Sequence, residues 1–322
     1  MGQPPDLCAS IIDAIGDTPL VELRRTVASR GLEGRLLTKL EHLNPGFSKK
    51  DRIALEMIRD ARGNGTLRPG QTVVELTSGN TGTGLAMVCR SFGHPFVAVM
   101  SRGNTVERAR MMIALGAEVV LVDQAGPVRP GRVGGDDLAM VERRTQLIVE
   151  QRDAFRCDQF RLESNLLAHE RHTGPELWEQ CGGRLDAFVD FVGTGGTFTG
   201  VMRYVGRQNP EVRGYVVEPA SAAVLAGMTN TCASHRIQGG GYSKTCLPLL
   251  DRNLVHGCVQ VSDDEAIAAA RALAREEGLV AGFSTGANVA AAIKLLRGPH
   301  RGQCVAFLTC DSGLKYMSTD LY

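Results

Sequence analysis

Short apolar segments alternate with helical patterns along almost the whole chain, and this alternation constrains the fold more than any other feature. Apolar runs bounded by Gly, Pro, Asn or Asp predict strands, and apolar residues spaced three or four apart predict helices. The predicted strands are 36–40, 72–76, 96–100, 117–122, 188–192, 215–217 and 305–309; the predicted helices are 51–62, 83–92, 106–115, 137–151, one from about 199, 262–277 and 287–297, with a further helix and connector within 8–30. This order indicates an α/β fold with largely parallel sheets.

Composition excludes several classes of function. The length of 322 residues suggests two domains or one large one, and the apolar fraction of 43% is ample for a packed core. Charge is balanced, with 36 basic and 35 acidic residues, which argues against a nucleic-acid partner. No apolar run approaches the roughly 18 residues of a membrane span, and the N-terminus does not resemble a signal peptide. We therefore expect a soluble, cytoplasmic protein with no membrane partner.

Cysteine and histidine usage gives little support for a metal site or a disulfide framework. The nine cysteines are odd in number and scattered, with no Cys-x-x-Cys, so we expect reduced thiols. His169 and His172 are three residues apart on a predicted helix. Two ligands without a third are weak evidence, and no metal is predicted.

Residues 44–52 combine a turn with an unusual pair of lysines. Asn44-Pro45-Gly46 is typical of a turn, and Ser48 with Asp51 predicts a capping box for the helix that follows. Lys49 and Lys50 then lie at the positive end of the helix dipole, which is unfavourable for a cation. Either both are solvated surface lysines, or one has a lowered pKa and forms an imine with an aldehyde cofactor.

Two further loops each join a predicted strand to a helix N-terminus. Residues 77–82 read Thr-Ser-Gly-Asn-Thr-Gly, and residues 193–197 read Gly-Thr-Gly-Gly-Thr. Free N–H groups at a helix N-terminus bind anions, and glycines let backbone N–H groups converge on a phosphate. The alternative for 77–82 is an ordinary strand-to-helix turn with a serine cap. The second loop alone is weak evidence, because it matches neither the dinucleotide fingerprint nor a P-loop.

Two segments interrupt the alternation. Residues 124–135 are dense in Gly and Pro, which predicts a surface excursion that is either a lid or a simple insertion. Residues 228–250 are irregular, with three consecutive glycines at 239–241.

Taken together, the loops resemble one family. In order, the chain carries Asn-Pro-Gly followed by Ser-x-Lys-Asp-Arg, Thr-Ser-Gly-Asn-Thr-Gly, Gly-Thr-Gly-Gly-Thr-x-Thr-Gly, Gly-x-Ser-x-Gly and Asp-Ser-Gly. This series is similar to the fold-type II pyridoxal-phosphate (PLP) enzymes of the cysteine synthase (O-acetylserine sulfhydrylase) and cystathionine β-synthase branch. The resemblance implies a tryptophan synthase β-like fold with two open twisted sheets. It also implies a smaller domain over 45–155, a larger domain from 1–44 and 156–322, the cofactor between them, and a homodimer.

The resemblance also implies roles for individual residues. Lys50 would be catalytic and form the imine with the cofactor, Asn80 would bind the ring hydroxyl, and Ser284 would face the ring nitrogen. The phosphate would be held by Gly193, Thr194, Gly195, Gly196 and Thr197. The residues implied for substrate binding are Thr77, Ser78, Asn80, Thr81 and Gln159 near the α-carboxylate, and Gly240 and Lys244 near the second substrate.

The sequence departs from the family pattern at several positions. Phe47 stands where the family often has glycine, and Lys49 where it usually has valine, which leaves open which lysine carries the imine. Register with Asp51-Arg52 favours Lys50. The stretch 240–244 also differs, and Lys244 either meets an anionic leaving group or nucleophile or is a surface lysine. Cys310 replaces a usual proline and is expected to be buried.

The function implied by the resemblance is β-replacement on an activated L-serine, either O-acetylserine or O-phosphoserine, through an aminoacrylate intermediate. Sulfide would then give L-cysteine. Alternatives are homocysteine or an amine as nucleophile, net elimination, or a non-catalytic homologue that binds a partner. The tail of serine acetyltransferase is a partner that such enzymes bind in the active site.

Overall fold

The computed structural model describes residues 7–126, 135–229 and 235–322, and its strands form two sheets. The six-stranded sheet has the order β1-β2-β10-β7-β8-β9, and the four-stranded sheet has the order β5-β4-β3-β6. All neighbours are parallel except β1, which runs antiparallel to β2 at one edge. The predicted α/β class with largely parallel sheets is therefore confirmed.

The larger sheet takes its strands from both ends of the chain. β10 lies at its centre, pairing with β2 from the N-terminal part and with β7. The strands are β1 (Leu20–Glu22), β2 (Arg35–Lys39), β7 (Ala187–Phe191), β8 (Arg213–Pro219), β9 (Gly257–Val261) and β10 (Cys304–Leu308). The smaller sheet is continuous in sequence: β3 (Val73–Leu76), β4 (Phe96–Ser101), β5 (Glu118–Val122) and β6 (Phe155–Arg156).

Helices cover both faces of each sheet, as expected for parallel sheets whose strands are buried on both sides. Side chains of α9 and α10 pack on one face of the larger sheet, and those of α7 and α8 on the other. Helices α2, α3 and α4 cover one face of the smaller sheet, and α5 covers the other. The helices are α1 (Arg24–Ser29), α2 (Lys50–Gly63), α3 (Asn80–Phe92), α4 (Val106–Ala114), α5 (Gly135–Arg152), α6 (Ser164–Ala168), α7 (Gly174–Gln180), α8 (Gly196–Gln208), α9 (Asp263–Glu277) and α10 (Phe283–Arg297).

Short helical turns complete the structure. A π-helical turn, His169–Thr173, joins α6 to α7, and 3-10 helices span Ile11–Ala14, Glu41–Leu43, Arg252–Leu254 and Gly313–Tyr316. Within the described residues, every helix is too short or too polar to span a membrane.

Several sequence-based predictions need correction. The N-terminal segment forms a 3-10 helix, the edge strand β1 and the short α1 rather than one helix, because Leu20–Glu22 pairs with β2. Strand β9 was missed, since its sequence Gly-Cys-Val-Gln-Val is short and half-buried at the sheet edge. Helices α3, α8 and α10 begin three or four residues earlier than predicted. Their first turns contain glycine and hydroxyl residues, which are weak helix formers and therefore gave no helix signal in the sequence. Residues 127–134 of the Gly/Pro segment lie outside the described residues.

A buried charge network joins the N-terminal segment to helices α2 and α7. Arg52 is only 3% exposed; its Nε donates to Glu41 Oε2 at 2.7 Å and its Nη1 to Glu176 Oε1 at 2.6 Å. Lys39 Nζ lies 2.7 Å from the other Glu176 oxygen. Every charge in this cluster is paired, which buried charges require.

We therefore predict that Arg52→Met lowers the free energy of unfolding by about 3–5 kcal/mol, because it leaves Glu41 buried without its guanidinium. Urea denaturation followed by circular dichroism measures this loss. Arg301→Met is the control: Arg301 pairs with Glu33 at the surface, and its removal should leave the midpoint unchanged. If Arg52→Met and Arg301→Met had the same denaturation midpoint, the predicted contribution of Arg52 to stability would be contradicted.

Candidate active site

A cavity of about 770 Å³, counting the solvent at its mouth, lies where strands of both sheets end. Its walls include Leu76 at the end of β3, Phe191 at the end of β7, and Cys310 just beyond β10. Clefts at the carboxyl ends of parallel strands are the usual ligand sites of α/β folds.

The two lysines at the start of α2 both line this cavity but have different surroundings. Lys49 Nζ pairs with Asp190 Oδ1 on β7 at 2.7 Å, and both side chains are buried. Burial opposes the charge on Lys49, but Asp190 outweighs it and raises the pKa of Lys49. Burial and the positive charge of Lys49 lower the pKa of Lys50 to about 8. Lys50 is thus the better nucleophile of the pair.

The turn before α2 does not form the predicted capping box. Asp51 Oδ2 accepts the backbone N–H of Gly46 at 2.5 Å instead of reaching back to Ser48. The Ser48 hydroxyl accepts the N–H of Lys50 at 3.3 Å. Gly46 is required here, because a Cβ would lie 2.4 Å from the Asp51 carboxylate. Phe47 adopts a φ of 63°, in the left-handed region that favours glycine.

The loop 77–82 brings hydroxyl and amide groups to the start of α3. Thr77 Oγ1 accepts the N–H groups of Gly79 and Gly82 at 3.0 and 2.9 Å, so this hydroxyl shapes the loop rather than facing the cavity. Ser78, Asn80 and Thr81 line the cavity. Thr81 Oγ1 donates to Gln159 Oε1 at 2.7 Å. The segment therefore presents polar donors beside free N–H groups of a helix N-terminus.

The loop 193–197 wraps the other end of the cavity at the start of α8. Gly195 has a φ of 88°, and a Cβ there would lie 2.7 Å from the Leu250 side chain. A Cβ on Gly196 would lie 2.3 Å from Asn165 Oδ1. Asn165 Nδ2 donates to Thr194 Oγ1 at 3.1 Å, and His169 Nε2 lies 3.1 Å from Thr197 Oγ1. Only glycine fits this close packing at 195 and 196, and the loop leads directly into the N-terminus of α8.

His169 supports this loop rather than a metal ion. Its Nδ1 lies 2.9 Å from Thr173 Oγ1 and its Nε2 contacts Thr197. Burial and nearby positive charges lower its pKa well below the usual range. His172 lies 3.9 Å from Glu56 at the surface. Among the described residues, no cluster of three or more His, Cys, Asp or Glu could hold a metal.

Ser284 and the 239–244 segment close the remaining sides. Ser284, in the first turn of α10, is within hydrogen-bonding reach of the Cys310 thiol, and burial raises the pKa of that thiol to about 11. Tyr242 lines the cavity and hydrogen-bonds Ser78. Lys244 is exposed, with its Nζ 4.6 Å from the centre of the Phe160 ring.

The structure brings together most of the residues singled out from sequence. Ten of them line the one cavity: Lys50, Ser78, Asn80, Thr81, Gln159, Gly193, Thr194, Gly195, Thr197 and Ser284. Four others are not among the described lining residues: Thr77, Gly196, Gly240 and Lys244. Gly240 packs behind the glycine loop, where a Cβ would lie 2.3 Å from the Val192 carbonyl oxygen.

Several residues of the site escaped sequence reasoning. Asp190 and Tyr242 line the cavity, and Asn165 and His169 hold the glycine loop from behind. Asp190 lies in an otherwise apolar strand. A charged residue is rarely buried unless it is paired, so this aspartate could have indicated a buried, positively charged partner. Nothing in the local pattern distinguishes Asn165 or His169.

Comparison with known proteins agrees with this geometry. The model of the family described as pyridoxal-phosphate dependent enzyme matches residues 11–311. The chain belongs to this family. It is 40% identical over 314 residues to cysteine synthase 3 of Caenorhabditis elegans, covering 96% of this chain and 88% of that protein. The resemblance inferred from the motifs is thereby confirmed, and the cofactor is PLP.

Solved structures of the family have the same fold. An O-acetyl serine sulfhydrylase isoform 3 from Entamoeba histolytica superposes with a TM-score of 0.90 at 33% identity, covering 100% of this chain and 94% of the other. An O-ureido-L-serine synthase gives a TM-score of 0.85 at 37% identity, covering 98% and 95%. Fold-type II architecture is therefore confirmed for this PLP-dependent enzyme.

The residues present fit PLP. The cofactor's aldehyde needs an amine that loses its proton readily, and Lys50 has one. Its phosphate suits a helix N-terminus preceded by glycines, and the 193–197 loop, with glycine at 193, 195 and 196, lies at the start of α8. Its polar ring atoms need neutral donors, and Asn80 and Ser284 line the same cavity.

We predict that Lys50→Ala abolishes the visible absorbance band that PLP-loaded enzyme shows, because the covalent link is lost. The control is the double variant Lys49→Met/Asp190→Asn, which removes the buried pair without leaving one charge unpaired. It should keep the band. A band that survives in Lys50→Ala and disappears in the double variant would assign the link to Lys49.

The lowered pKa of Lys50 makes a separate prediction for the cofactor-free enzyme. Because the amine loses its proton near pH 8, covalent attachment of added PLP should accelerate as the pH rises through about 8. An ordinary lysine would respond only towards pH ~10.4. Borohydride reduction at timed intervals, followed by peptide mass spectrometry, measures the rate at Lys50. A midpoint near 10 would contradict the prediction.

Proposed function

We propose that this enzyme catalyses β-replacement on an activated L-serine, with O-acetylserine as first substrate and sulfide as nucleophile, giving L-cysteine. The observation that carries the proposal is the single cavity in which Lys50, the glycine loop and the hydroxyl-rich 77–82 loop meet. Similarity to cysteine synthase 3 and to O-acetyl serine sulfhydrylase supports this choice of substrates. Bound PLP supplies an electron sink that stabilises negative charge at the substrate's Cα.

Lys50 is the proposed general base and acid. With PLP and substrate bound, the free amine of Lys50 would remove the proton from the substrate's Cα and later return it. Burial next to Lys49 keeps its pKa near 8, so the free amine is available near neutral pH. Pairing with Asp190 withholds Lys49 from the same task.

The substrate's α-carboxylate is proposed to bind at the start of α3. Ser78 and Thr81 line the cavity there, and Thr81 is positioned by its hydrogen bond to Gln159. The helix N-terminus adds N–H groups and the positive end of its dipole. In this proposal Thr77 contributes by fixing the backbone of Gly79 and Gly82.

Ser284 is proposed to face the pyridine nitrogen. A neutral hydroxyl, unlike a carboxylate, does not hold that nitrogen protonated, so the ring withdraws fewer electrons. Elimination of the β substituent is then favoured over reactions that need a more strongly stabilised carbanion at Cα, such as transamination.

A second candidate keeps the chemistry and changes the nucleophile to homocysteine or an amine. Similarity to an O-ureido-L-serine synthase supports a nucleophile other than sulfide. Lys244, exposed over Phe160, is a candidate contact for an anionic group on that molecule or for the phosphate of O-phosphoserine.

The wider organisation is also a proposal. The two sheets suggest a smaller domain over 45–155 and a larger one from 1–44 and 156–322, with the cofactor between them. The family resemblance supports a homodimer in the cytoplasm and a serine acetyltransferase tail as partner. Light scattering and a binding assay with that C-terminal peptide test these points.

We predict that O-acetylserine shifts the visible band of the PLP-loaded enzyme, and that sulfide then restores it with release of cysteine. O-phosphoserine and serine are compared separately, and homocysteine and amines replace sulfide in parallel. No band shift with any of the three serine derivatives would reject the proposed enzyme class. A shift that sulfide fails to reverse, but another nucleophile reverses, would select the second candidate.

Replacing Ser284 tests the role of the ring nitrogen. Ser284→Asp should lower the rate of β-replacement at least tenfold and raise the share of side products such as transamination, because a carboxylate favours the protonated ring. Ser284→Thr keeps the hydroxyl and should retain the wild-type partition. Partitioning is measured by product analysis, and an unchanged ratio in Ser284→Asp would contradict the role.

A further inference from the structure

Lys315 is a buried lysine beside the cavity for which the function above assigns no role. It lies in the 3-10 helix Gly313–Tyr316 and is only 2% exposed. Its Nζ donates to Asn80 Oδ1 and to the carbonyl oxygen of Gly46, both at 2.8 Å. Burial lowers the pKa of Lys315, and the carboxylates of Asp311 and Asp51 oppose that shift. A buried amine is costly unless it is well bonded, so these contacts hold it in one geometry.

The contacts on both sides of the Asn80 amide fix its orientation. Oδ1 accepts from Lys315, and Nδ2 donates to Asp311 Oδ2 at 2.7 Å. A lysine amine offers hydrogens to Oδ1, and a carboxylate accepts them from Nδ2. A flipped amide would place Nδ2 against the lysine and Oδ1 against the carboxylate. One N–H of Nδ2 is then left to donate from the cavity wall.

Asp311, the acceptor on the other side, is itself held in place. Its Oδ2 also accepts the hydroxyl of Tyr316 at 2.6 Å. The guanidinium of Arg108 lies 4.8 Å from the centre of the Tyr316 ring, and its Nη1 donates to the Ser78 carbonyl oxygen at 2.8 Å. The C-terminal turn thus braces the 77–82 loop from behind.

Lys315 also connects that loop to the lysine loop. Gly46 belongs to the Asn44-Pro45-Gly46 turn, and its N–H is fixed by Asp51 while its carbonyl is fixed by Lys315. One side chain therefore sets the spacing between the segment that carries Lys50 and the segment that carries Asn80.

We propose that Lys315 is a positioning residue: its amine, held in place by the Gly46 carbonyl, binds Oδ1 of Asn80 and orients the Asn80 amide so that one N–H faces the ring hydroxyl of bound PLP. This inference rests on the proposed role of Asn80 as the partner of that hydroxyl.

The test is a double-mutant cycle on cofactor binding. Lys315→Met removes the donor, Asn80→Ala removes the amide, and the double variant removes both. The cofactor-free proteins are titrated with PLP, and the dissociation constant and the position of the visible band are recorded. Lys315→Met should weaken PLP binding about tenfold and shift the band. In the Asn80→Ala background, Lys315→Met should weaken PLP binding by no more than about twofold, because the amide that Lys315 orients is already absent.

Lys39→Met is the matched control. Lys39 is also a fully buried lysine, bonded to Glu176 and to the Thr18 carbonyl oxygen, but it lies away from the cavity lining. Its loss should lower the denaturation midpoint and leave PLP affinity within about twofold of wild type. If Lys315→Met is not recovered folded, Lys315→Leu, which also lacks a donor, enters the same cycle under the same criterion.

Two results would overturn the inference. The first is a Lys315→Met variant with wild-type PLP affinity and a wild-type band position. The second is a double variant that binds PLP a full tenfold more weakly than Asn80→Ala alone. Either can occur in an enzyme that still binds PLP and turns over O-acetylserine, so the proposed function would survive. Wild-type protein that forms no band with PLP would reject the proposed function and this inference together.

Discussion

The ion pair between Lys49 and Asp190 determines what kind of site the cavity can be. Two adjacent ammonium groups at the positive end of a helix would repel each other and resist burial. Asp190, 2.7 Å from Lys49, raises the pKa of Lys49 and so keeps it charged. Burial, and next the positive charge of Lys49, lower the pKa of Lys50 to about 8, although Asp190 opposes this shift.

The rest of the site uses helix N-termini in place of charged side chains. Helices α3, α8 and α10 all begin at the cavity, with Asn80, the 193–197 glycines and Ser284 in or next to their first turns. Glycine and hydroxyl residues are weak helix formers, but they leave the first N–H groups accessible. Buried side chains such as Asn165 and His169 then hold these loops in place by hydrogen bonds.

How much of this could be predicted depended on how local each feature is. The alternation of strands and helices and the loops at 77–82 and 193–197 are contiguous in sequence, so their residue types signal them directly. The partner of Lys49 lies 141 positions away on another strand, and no local pattern predicts it. The Ser48–Asp51 capping box failed because Gly46, five residues before Asp51, offers its N–H to the same carboxylate. Strands β1 and β9 are short edge strands defined by their neighbours.

The same buried contacts also determine which charges the cavity presents to a ligand. Lys49 is paired with Asp190, and the Asp311 carboxylate is occupied by hydrogen bonds from Asn80 and Tyr316. What the cavity offers to a ligand is then a set of neutral hydroxyl, amide and backbone donors at positive helix ends, together with one titratable amine. Such donors bind the anionic group of a ligand, a phosphate or a carboxylate, through hydrogen bonds and the positive end of a helix dipole rather than through a salt bridge.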